Sequence, residues 1–127
     1  MFLYLTLGTN DVARATPFYD AVMTALGYRR TSTEPDEIAY GQNADKEPLL
    51  WIGRPFDEKP ASRGNGSMIA FAAATRGAVD AFHAAGIAHG GSDEGKPGLR
   101  RYGANFYACY LRDPDGNKLS AVCRAAE

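Results

Sequence analysis

Residues with the chemistry of a catalyst are scarce in this chain of 127 residues. It contains two histidines, His83 and His89, and two cysteines, Cys109 and Cys123. His83 lies in the middle of a predicted helix, where we expect it at the solvent edge. His89 lies just after that helix, where we expect it to interact with the helix dipole. This arrangement supports neither a metal cluster nor a serine–histidine–acid triad. Each cysteine lies in an apolar, strand-like run, which predicts small core residues in a reduced compartment.

The strongest local motif is the turn sequence Asp113-Pro114-Asp115-Gly116. Proline presets φ, aspartate side chains bond to nearby backbone and glycine accepts a positive φ, so the motif predicts a tight turn. Apolar runs on both sides, 106–111 and 117–123, predict a terminal β-hairpin. We therefore interpret both aspartates as turn residues rather than catalytic carboxylates. A four-residue turn would place Cys109 opposite Ser120.

The elements that must position these residues follow one order twice: a strand, a helix and further short strands. Alternation of apolar residues predicts a strand over 2–8, and 3.6-residue spacing predicts the helix that follows it, which ends at Gly27. The other predicted elements are strands over 28–33, 37–41, 48–53 and 67–73, a helix capped by Thr75, and a glycine-rich loop over 92–104 with room for one short strand. Each half has about 60 residues, too few to bury a sheet face alone.

This order resembles the vicinal oxygen chelate superfamily, which includes glyoxalase I, extradiol dioxygenases and bleomycin- and fosfomycin-resistance proteins. The resemblance covers nearly the whole chain. It implies an α+β fold in which two βαβββ modules form a curled mixed sheet around a cleft. It also implies a single domain, 1–127, with module one over about 1–54, a linker over about 55–66 and module two over about 67–127. The supporting segments are Leu5–Asp11, Phe18-Tyr19, Leu26–Tyr28, Ile69–Phe71, Val79–Gly86 and the terminal hairpin.

In metal-binding members of that superfamily, histidines on the first strand of each module and a glutamate on the last strand hold a divalent ion. The matching positions here are Tyr4, Met68 and Ser120. A protonated phenol, a soft thioether and a weak hydroxyl are poor ligands for such ions. The predicted fourth strand offers no carboxylate either. The resemblance therefore predicts a protein without a metal site or another cofactor.

Strand parity predicts which side chains line the cleft. The apolar alternate set of each strand is assigned to the helix side, which leaves the other set facing the cleft. Pairing across the hairpin adds Tyr107 and Cys109 to that face. The predicted ligand-binding residues are Tyr4, Thr6, Trp51, Met68, Tyr107 and Ser120. This aromatic, sparsely polar wall suits a small apolar or planar molecule, unless the same side chains simply fill the cleft as core.

Four arginines are expected near strand ends or in the long loop: Arg54, Arg100, Arg101 and Arg112. They could attract an anionic ligand, although scattered surface arginines are the commoner explanation. The net charge of −1 gives no basic excess for a nucleic acid or an anionic membrane. No signal peptide precedes the first strand, so a cytoplasmic protein is expected.

The function that these observations predict is that of a metal-free, small-molecule-binding protein, similar in mode to the bleomycin-resistance proteins. The resemblance also implies a homodimer, because members of the superfamily commonly pair their modules within or across chains. Two alternatives stay open. One is a metal-dependent lyase or dioxygenase of the same superfamily with rearranged ligands, and the other is a structural or interaction dimer with a filled cleft.

Overall fold

The computed structural model describes residues 1–43 and 46–127, which form two helices and eight strands. The predicted order, a strand, a helix and three strands repeated twice, is confirmed. The elements are β1 (Leu5–Gly8), α1 (Val12–Ala25), β2 (Arg29–Thr33), β3 (Glu37–Gly41), β4 (Leu50–Gly53), β5 (Ile69–Ala72), α2 (Arg76–Ala88), β6 (Ser92–Leu99), β7 (Tyr107–Arg112) and β8 (Lys118–Cys123).

Each half of the chain forms its own four-stranded mixed sheet. Module one, β1 to β4, has the strand order β1-β4-β3-β2, and module two, β5 to β8, has the equivalent order β5-β8-β7-β6. In both sheets the first strand runs parallel to the fourth, and the other neighbours are antiparallel. The two sheets do not join, so β1 and β5 are edge strands. This is the α+β arrangement of two βαβββ modules that the sequence predicted.

Alternation along the strands separates a helix-facing side from an open face on the other side of each sheet. In β1, Leu5 and Leu7 pack against the core, as Ile52 does in β4. Thr6 and Trp51 are register partners and occupy the open face of module one. Burial of the aliphatic set against the helices therefore fixes which side chains remain available for a ligand.

Side-chain caps define where both helices begin. The Asp11 carboxylate accepts a hydrogen bond from the Arg14 N–H (3.0 Å), and the Thr75 hydroxyl accepts one from the Ala78 N–H (3.0 Å). These bonds satisfy amide groups that the first turn of a helix leaves without partners. Gly27, with φ of +85°, follows the end of α1 in the left-handed conformation that glycine adopts without strain.

The two helices pack against each other and join the modules into one core. Gly86 on α2 lies close to both α1 and β7, because an added Cβ there would lie 2.6 Å from Leu111 Cδ2 and 3.4 Å from both Phe18 Cε2 and Val22 Cγ1. A larger residue at this position would require these side chains, above all Leu111, to shift. Both modules contribute buried side chains to the shared core, including Phe18, Tyr19, Val22, Tyr40, Ile52, Val79, Phe82, Cys109, Leu111, Leu119 and Cys123.

The terminal hairpin is confirmed, but its connection is one residue longer than predicted. Arg112 pairs with Lys118, which leaves five residues, 113–117, in the loop. The Asp113 N–H donates to the Asn117 carbonyl (3.0 Å), so that Asn117 belongs to the turn rather than to the strand.

The longer loop shifts the hairpin register by one residue. Ser120 lies opposite Tyr110, and Cys109 lies opposite Ala121. The prediction that Cys109 faces Ser120 is therefore wrong. Because side chains alternate with a period of two, this single residue moves one side of the hairpin onto the other face of the sheet.

The Asp-Pro-Asp-Gly turn of module two also accepts hydrogen bonds from module one. The Tyr19 hydroxyl donates to the buried Asp113 carboxylate (2.5 Å). Asp115 accepts hydrogen bonds from the Thr9 hydroxyl (2.6 Å) and the Arg14 guanidinium (2.8 Å). Both aspartates are thus turn residues, as predicted, and they also hold module two against the start of α1.

The segment after α2 contains more regular structure than the sequence indicated. The loop expected over 92–104 includes the eight-residue strand β6, whose pairing with β7 is irregular near Gly95 and Gly98. Among the residues that the structure describes, no helix is both long enough and apolar enough to cross a membrane.

Candidate functional site

A hollow of about 530 Å³ lies on the open face of module one. Thr6 and Trp51 form its floor as register partners on β1 and β4, and Tyr4 precedes β1 at its rim. Tyr4 is 58% exposed, so its ring is not part of the core. Three of the six predicted site residues thus share one hollow, whose complete lining is Leu3, Tyr4, Thr6, Glu37, Glu47, Pro48 and Trp51.

Glu37 supplies a carboxylate to this hollow that the sequence analysis missed. It opens β3, where Ile38 and Tyr40 are buried in the core and Glu37, which has the opposite parity, lines the hollow on the other face. Gly53 lies opposite Glu37, and an added Cβ there would be 2.7 Å from Glu37 Cβ. The alternation of Ile38 and Tyr40 in β3 is the sequence signal that places Glu37 on the open face.

A second hollow, of about 220 Å³, lies between the modules. Thr6 lines both hollows, and Met68 and Lys118 bring module two to the second one. Hydroxyl groups of Ser62 and Ser67 make this junction more polar than the face around Trp51. Met68 is 45% exposed and remains accessible to a ligand.

Ser120 is placed on the open face of module two, but beneath its surface. Its register partners are Ala70 on β5 and Tyr110 on β7. The residue is fully buried, and its hydroxyl oxygen has no hydrogen-bond partner among the described residues. A buried hydroxyl without a partner costs about 1–3 kcal/mol. Ser120 is therefore an unusual feature of this face and contacts neither hollow directly.

Tyr107 does not face the cleft, in contrast to its predicted position. In the observed register it lies opposite Cys123 on the helix side of the sheet. Its hydroxyl donates to Asp80 on α2 (2.7 Å), and the Arg76 guanidinium lies 5.3 Å from its ring centroid. The prediction that Tyr107 faces the cleft assumed a four-residue turn. The five-residue loop places its side chain on the opposite face of the sheet.

The cysteines and histidines have structural surroundings. Burial raises the pKa of the Cys109 thiol to about 11, which keeps it protonated near neutral pH. His83 Nε2 lies 2.8 Å from Asp93 Oδ1, and this hydrogen bond lowers the pKa of Asp93. His89 Nδ1 lies 2.8 Å from the Ala85 carbonyl in the last turn of α2.

The residues of the cleft do not fit a divalent metal. Tyr4 and Met68 lie on separate modules and share neither hollow, and the Ser120 hydroxyl is buried away from both. Within residues 1–43 and 46–127, no three histidine, cysteine or acidic side chains converge on one point. Glu37 and Glu47 are hard ligands by type and line the same hollow, but no third histidine, cysteine or acidic side chain among the described residues joins them.

Comparison with known proteins identifies the family. Residues 2–120 match the model of the Glyoxalase/Bleomycin resistance protein/Dioxygenase superfamily. A glyoxalase/bleomycin resistance protein from Albidiferax ferrireducens T118 superposes with a TM-score of 0.84 at 39% identity, over 98% of each chain. A search of curated proteins gives no match.

More distant structures share the fold alone. A glyoxalase-related enzyme from Fulvimarina pelagi superposes with a TM-score of 0.75 at 20% identity, over 97% of this chain and 87% of that one. A lactoylglutathione lyase from Agrobacterium tumefaciens gives a TM-score of 0.63 at 20% identity, over 97% and 92% of the two chains. The family match over nearly the whole sequence agrees with the paired-module architecture, and the chain belongs to the glyoxalase/bleomycin resistance protein/dioxygenase superfamily.

Proposed function

We propose that this protein binds a small organic molecule without the help of a metal ion. The observation that carries the proposal is the hollow beside Trp51, which offers about 530 Å³ of space on a sheet face that the core does not use. Ligand sites of this size typically combine apolar and aromatic walls with a few polar groups that fix orientation. Here Trp51 supplies the aromatic surface, and Thr6 and Glu37 supply the polar groups.

The ligand chemistry that fits this hollow is a small planar or apolar body with at least one hydrogen-bonding group. Trp51 and Tyr4 can stack on a ring, while the Thr6 hydroxyl can donate or accept a hydrogen bond. The Glu37 carboxylate accepts hydrogen bonds when ionised and therefore favours a donor such as a hydroxyl or an amine. Space in both hollows argues against a cleft filled by its own side chains.

A second copy of the chain is part of the proposal. Tyr4 and Met68 are both exposed, and each lies just before an edge strand that has one neighbour only. Leu3, which is 84% exposed, adds an apolar side chain to the rim of the first hollow. A partner that covers β1 and β5 would bury this surface and enclose a ligand held beside Trp51.

Intrinsic fluorescence gives a direct test, because Trp51 is the only tryptophan of the chain. Titration with a library of small aromatic acids and amines should identify a ligand that quenches or shifts Trp51 emission. The variant Tyr4→Ala should keep the fold and weaken binding of that ligand by about fivefold, since a well-packed aromatic contact contributes about 1 kcal/mol. The matched control is Tyr102→Ala, an exposed tyrosine outside both hollows.

The same preparation distinguishes a metal-dependent enzyme. Elemental analysis of freshly purified protein should find far less than one zinc, nickel, manganese or iron per chain. A stoichiometric metal would contradict the proposal. Equal affinity of the wild type and Tyr4→Ala for the identified ligand would instead show that binding occurs elsewhere.

A further inference from the structure

Two cations converge on one aromatic ring on the open face of module two. The Arg100 guanidinium lies 5.4 Å from the ring centroid of Tyr110, and the Lys118 ammonium lies 5.8 Å from it. Both distances are within the range of cation–π attraction. The Tyr110 ring thus has two positive charges within cation–π distance of it on a partly buried surface.

No carboxylate offsets these two charges among the described residues. The guanidinium of Arg100 donates to the carbonyls of Leu99 (3.4 Å) and Lys96 (2.5 Å), which carry no net charge. Both acidic side chains of β6 bind other residues, Glu94 to Arg112 at 2.6 Å and Asp93 to His83 at 2.8 Å. The face around Tyr110 therefore has a local positive charge that could be neutralised by an anion.

The Ser120 hydroxyl is a second, independent indication of a ligand. It lies directly across from Tyr110 in the sheet, two residues from Lys118 and on the same face, and it is buried without a hydrogen-bond partner. An anion could reach this hydroxyl only if neighbouring side chains on the same face move, and Lys118 is long enough to turn from the ring towards a ligand. An anionic oxygen would then receive an O–H donor as well as N–H donors.

Lys118 also connects this face to the cleft. It lines the hollow of about 220 Å³ between the modules, and Thr6 joins that hollow to the one beside Trp51. A ligand that rests at Thr6 could therefore extend an anionic group towards Lys118. The Ser62 and Ser67 hydroxyls along the way suit such a polar group.

We propose that Arg100, Lys118 and Ser120 form a subsite for an oxyanion, a carboxylate or a phosphate, carried by the ligand. This proposal rests on the proposed function and assigns the ligand a negative charge. Lys118 and Arg100 turn from the Tyr110 ring to bind the anionic oxygens with charge-assisted hydrogen bonds. Ser120 donates its hydroxyl hydrogen to the same group.

Amide chemical shifts provide the test. Titration of ¹⁵N-labelled protein with benzoate and with inorganic phosphate should move the amide signals of Lys118, Ser120 and Tyr110, and benzamide, the neutral relative of benzoate, should not. Stronger binding of benzoate would assign a carboxylate ligand, and stronger binding of phosphate would assign a phosphorylated one. If neither anion moves these signals, or if benzamide binds as well as benzoate, the oxyanion subsite is excluded.

Variants decide which side chains take part. Loss of one charge-assisted contact should raise Kd about tenfold or more in Lys118→Gln and in Arg100→Gln. The control Arg101→Gln removes an exposed guanidinium that lies 5.9 Å from the ring centroid of Tyr102 instead, and its Kd should stay within about twofold of the wild type. Ser120→Ala should weaken anion binding without lowering thermal stability, because its hydroxyl has no partner to lose.

These experiments distinguish a failure of the anionic subsite from a failure of the proposed function. A ligand that quenches Trp51 emission but binds equally well to Lys118→Gln would sustain the small-molecule proposal and overturn the anionic subsite. Anion-dependent shifts at Lys118 without any ligand that affects Trp51 would sustain the subsite and overturn the hollow beside Trp51.

Discussion

At the scale of single residues, the most consequential polar contact is buried between the modules. Asp113 accepts hydrogen bonds from the Tyr19 hydroxyl, from the Asn117 side chain (2.8 Å) and from the backbone N–H groups of Asp115 and Asn117. Burial raises the pKa of Tyr19 well above its usual value, and the charge of Asp113 adds to that effect. A buried carboxylate is stable only when its oxygens are satisfied in this way.

Removal of the Tyr19 hydroxyl should therefore destabilise the fold. We expect Tyr19→Phe to lower the free energy of unfolding by about 1.5–3 kcal/mol, the range for a hydrogen bond to a charged group. The difference from wild type should be constant at neutral pH and shrink above about pH 10, because an unfolded tyrosine ionises there while the folded one does not. Urea denaturation at several pH values measures both effects.

The control is Tyr28→Phe, which removes a hydroxyl from a partly buried tyrosine at the edge of the same core. Its stability should stay within about 0.5 kcal/mol of the wild type. A Tyr19→Phe protein as stable as this control would mean that the contact with Asp113 is replaced by water at no cost.

At the scale of elements, the crossing of α1 and α2 depends on Gly86. Gly86→Ala should lower the free energy of unfolding by about 1–3 kcal/mol, because the new methyl group would overlap Leu111 and crowd Phe18. Gly77→Ala is the matched control in the same helix, since its added Cβ meets nothing closer than 3.7 Å. That variant should be as stable as wild type or more stable by up to about 1 kcal/mol. Thermal unfolding of the pair measures the difference, and equal stability of both variants would refute close packing at Gly86.

Elements and their order could be predicted from the sequence, because apolar periodicity and turn residues report local structure directly. Register across the hairpin could not, since it depended on whether Asn117 belonged to the turn. Its side chain bonds to the Gly8 carbonyl of module one (3.0 Å), a contact that no local pattern reveals. This one residue decided that Tyr110, and not Tyr107, occupies the open face.

The candidate site was predictable to the same extent. Alternation in β1 placed Thr6 on the open face, and the pairing of β1 with β4 brings Trp51 beside it. The burial of Ser120 and the grouping of Arg100 with Lys118 depend on side-chain packing around Tyr110. Such contacts join residues that are far apart in the sequence, and hydrophobic spacing carries no information about them.

At the scale of the whole molecule, β1 and β5 are each an edge strand of their sheet, and neither is paired with a strand of the other module. The helices share one core, and Asp115 ties the terminal hairpin to Thr9 and Arg14. These contacts lie on the helix side and at one end of the sheets. We propose that a second copy of the chain covers β1 and β5, with Leu3 and Met68 beside them.

A single charge introduced beside these edges should dissociate a homodimer that uses them. Sedimentation equilibrium of the wild type should give twice the chain mass of 13.7 kDa. Leu3→Glu should give a folded monomer, because a carboxylate buried against apolar side chains costs more than the contact contributes. Ile87→Glu, which places the same charge on another exposed apolar residue, on α2, should remain a dimer. Trp51 emission should shift to longer wavelength in Leu3→Glu alone, since loss of the partner admits water to the adjoining hollow. A wild-type monomer would contradict the proposed dimer. A dimer that is disrupted only by the change at Ile87 would place the interface on a surface other than β1 and β5.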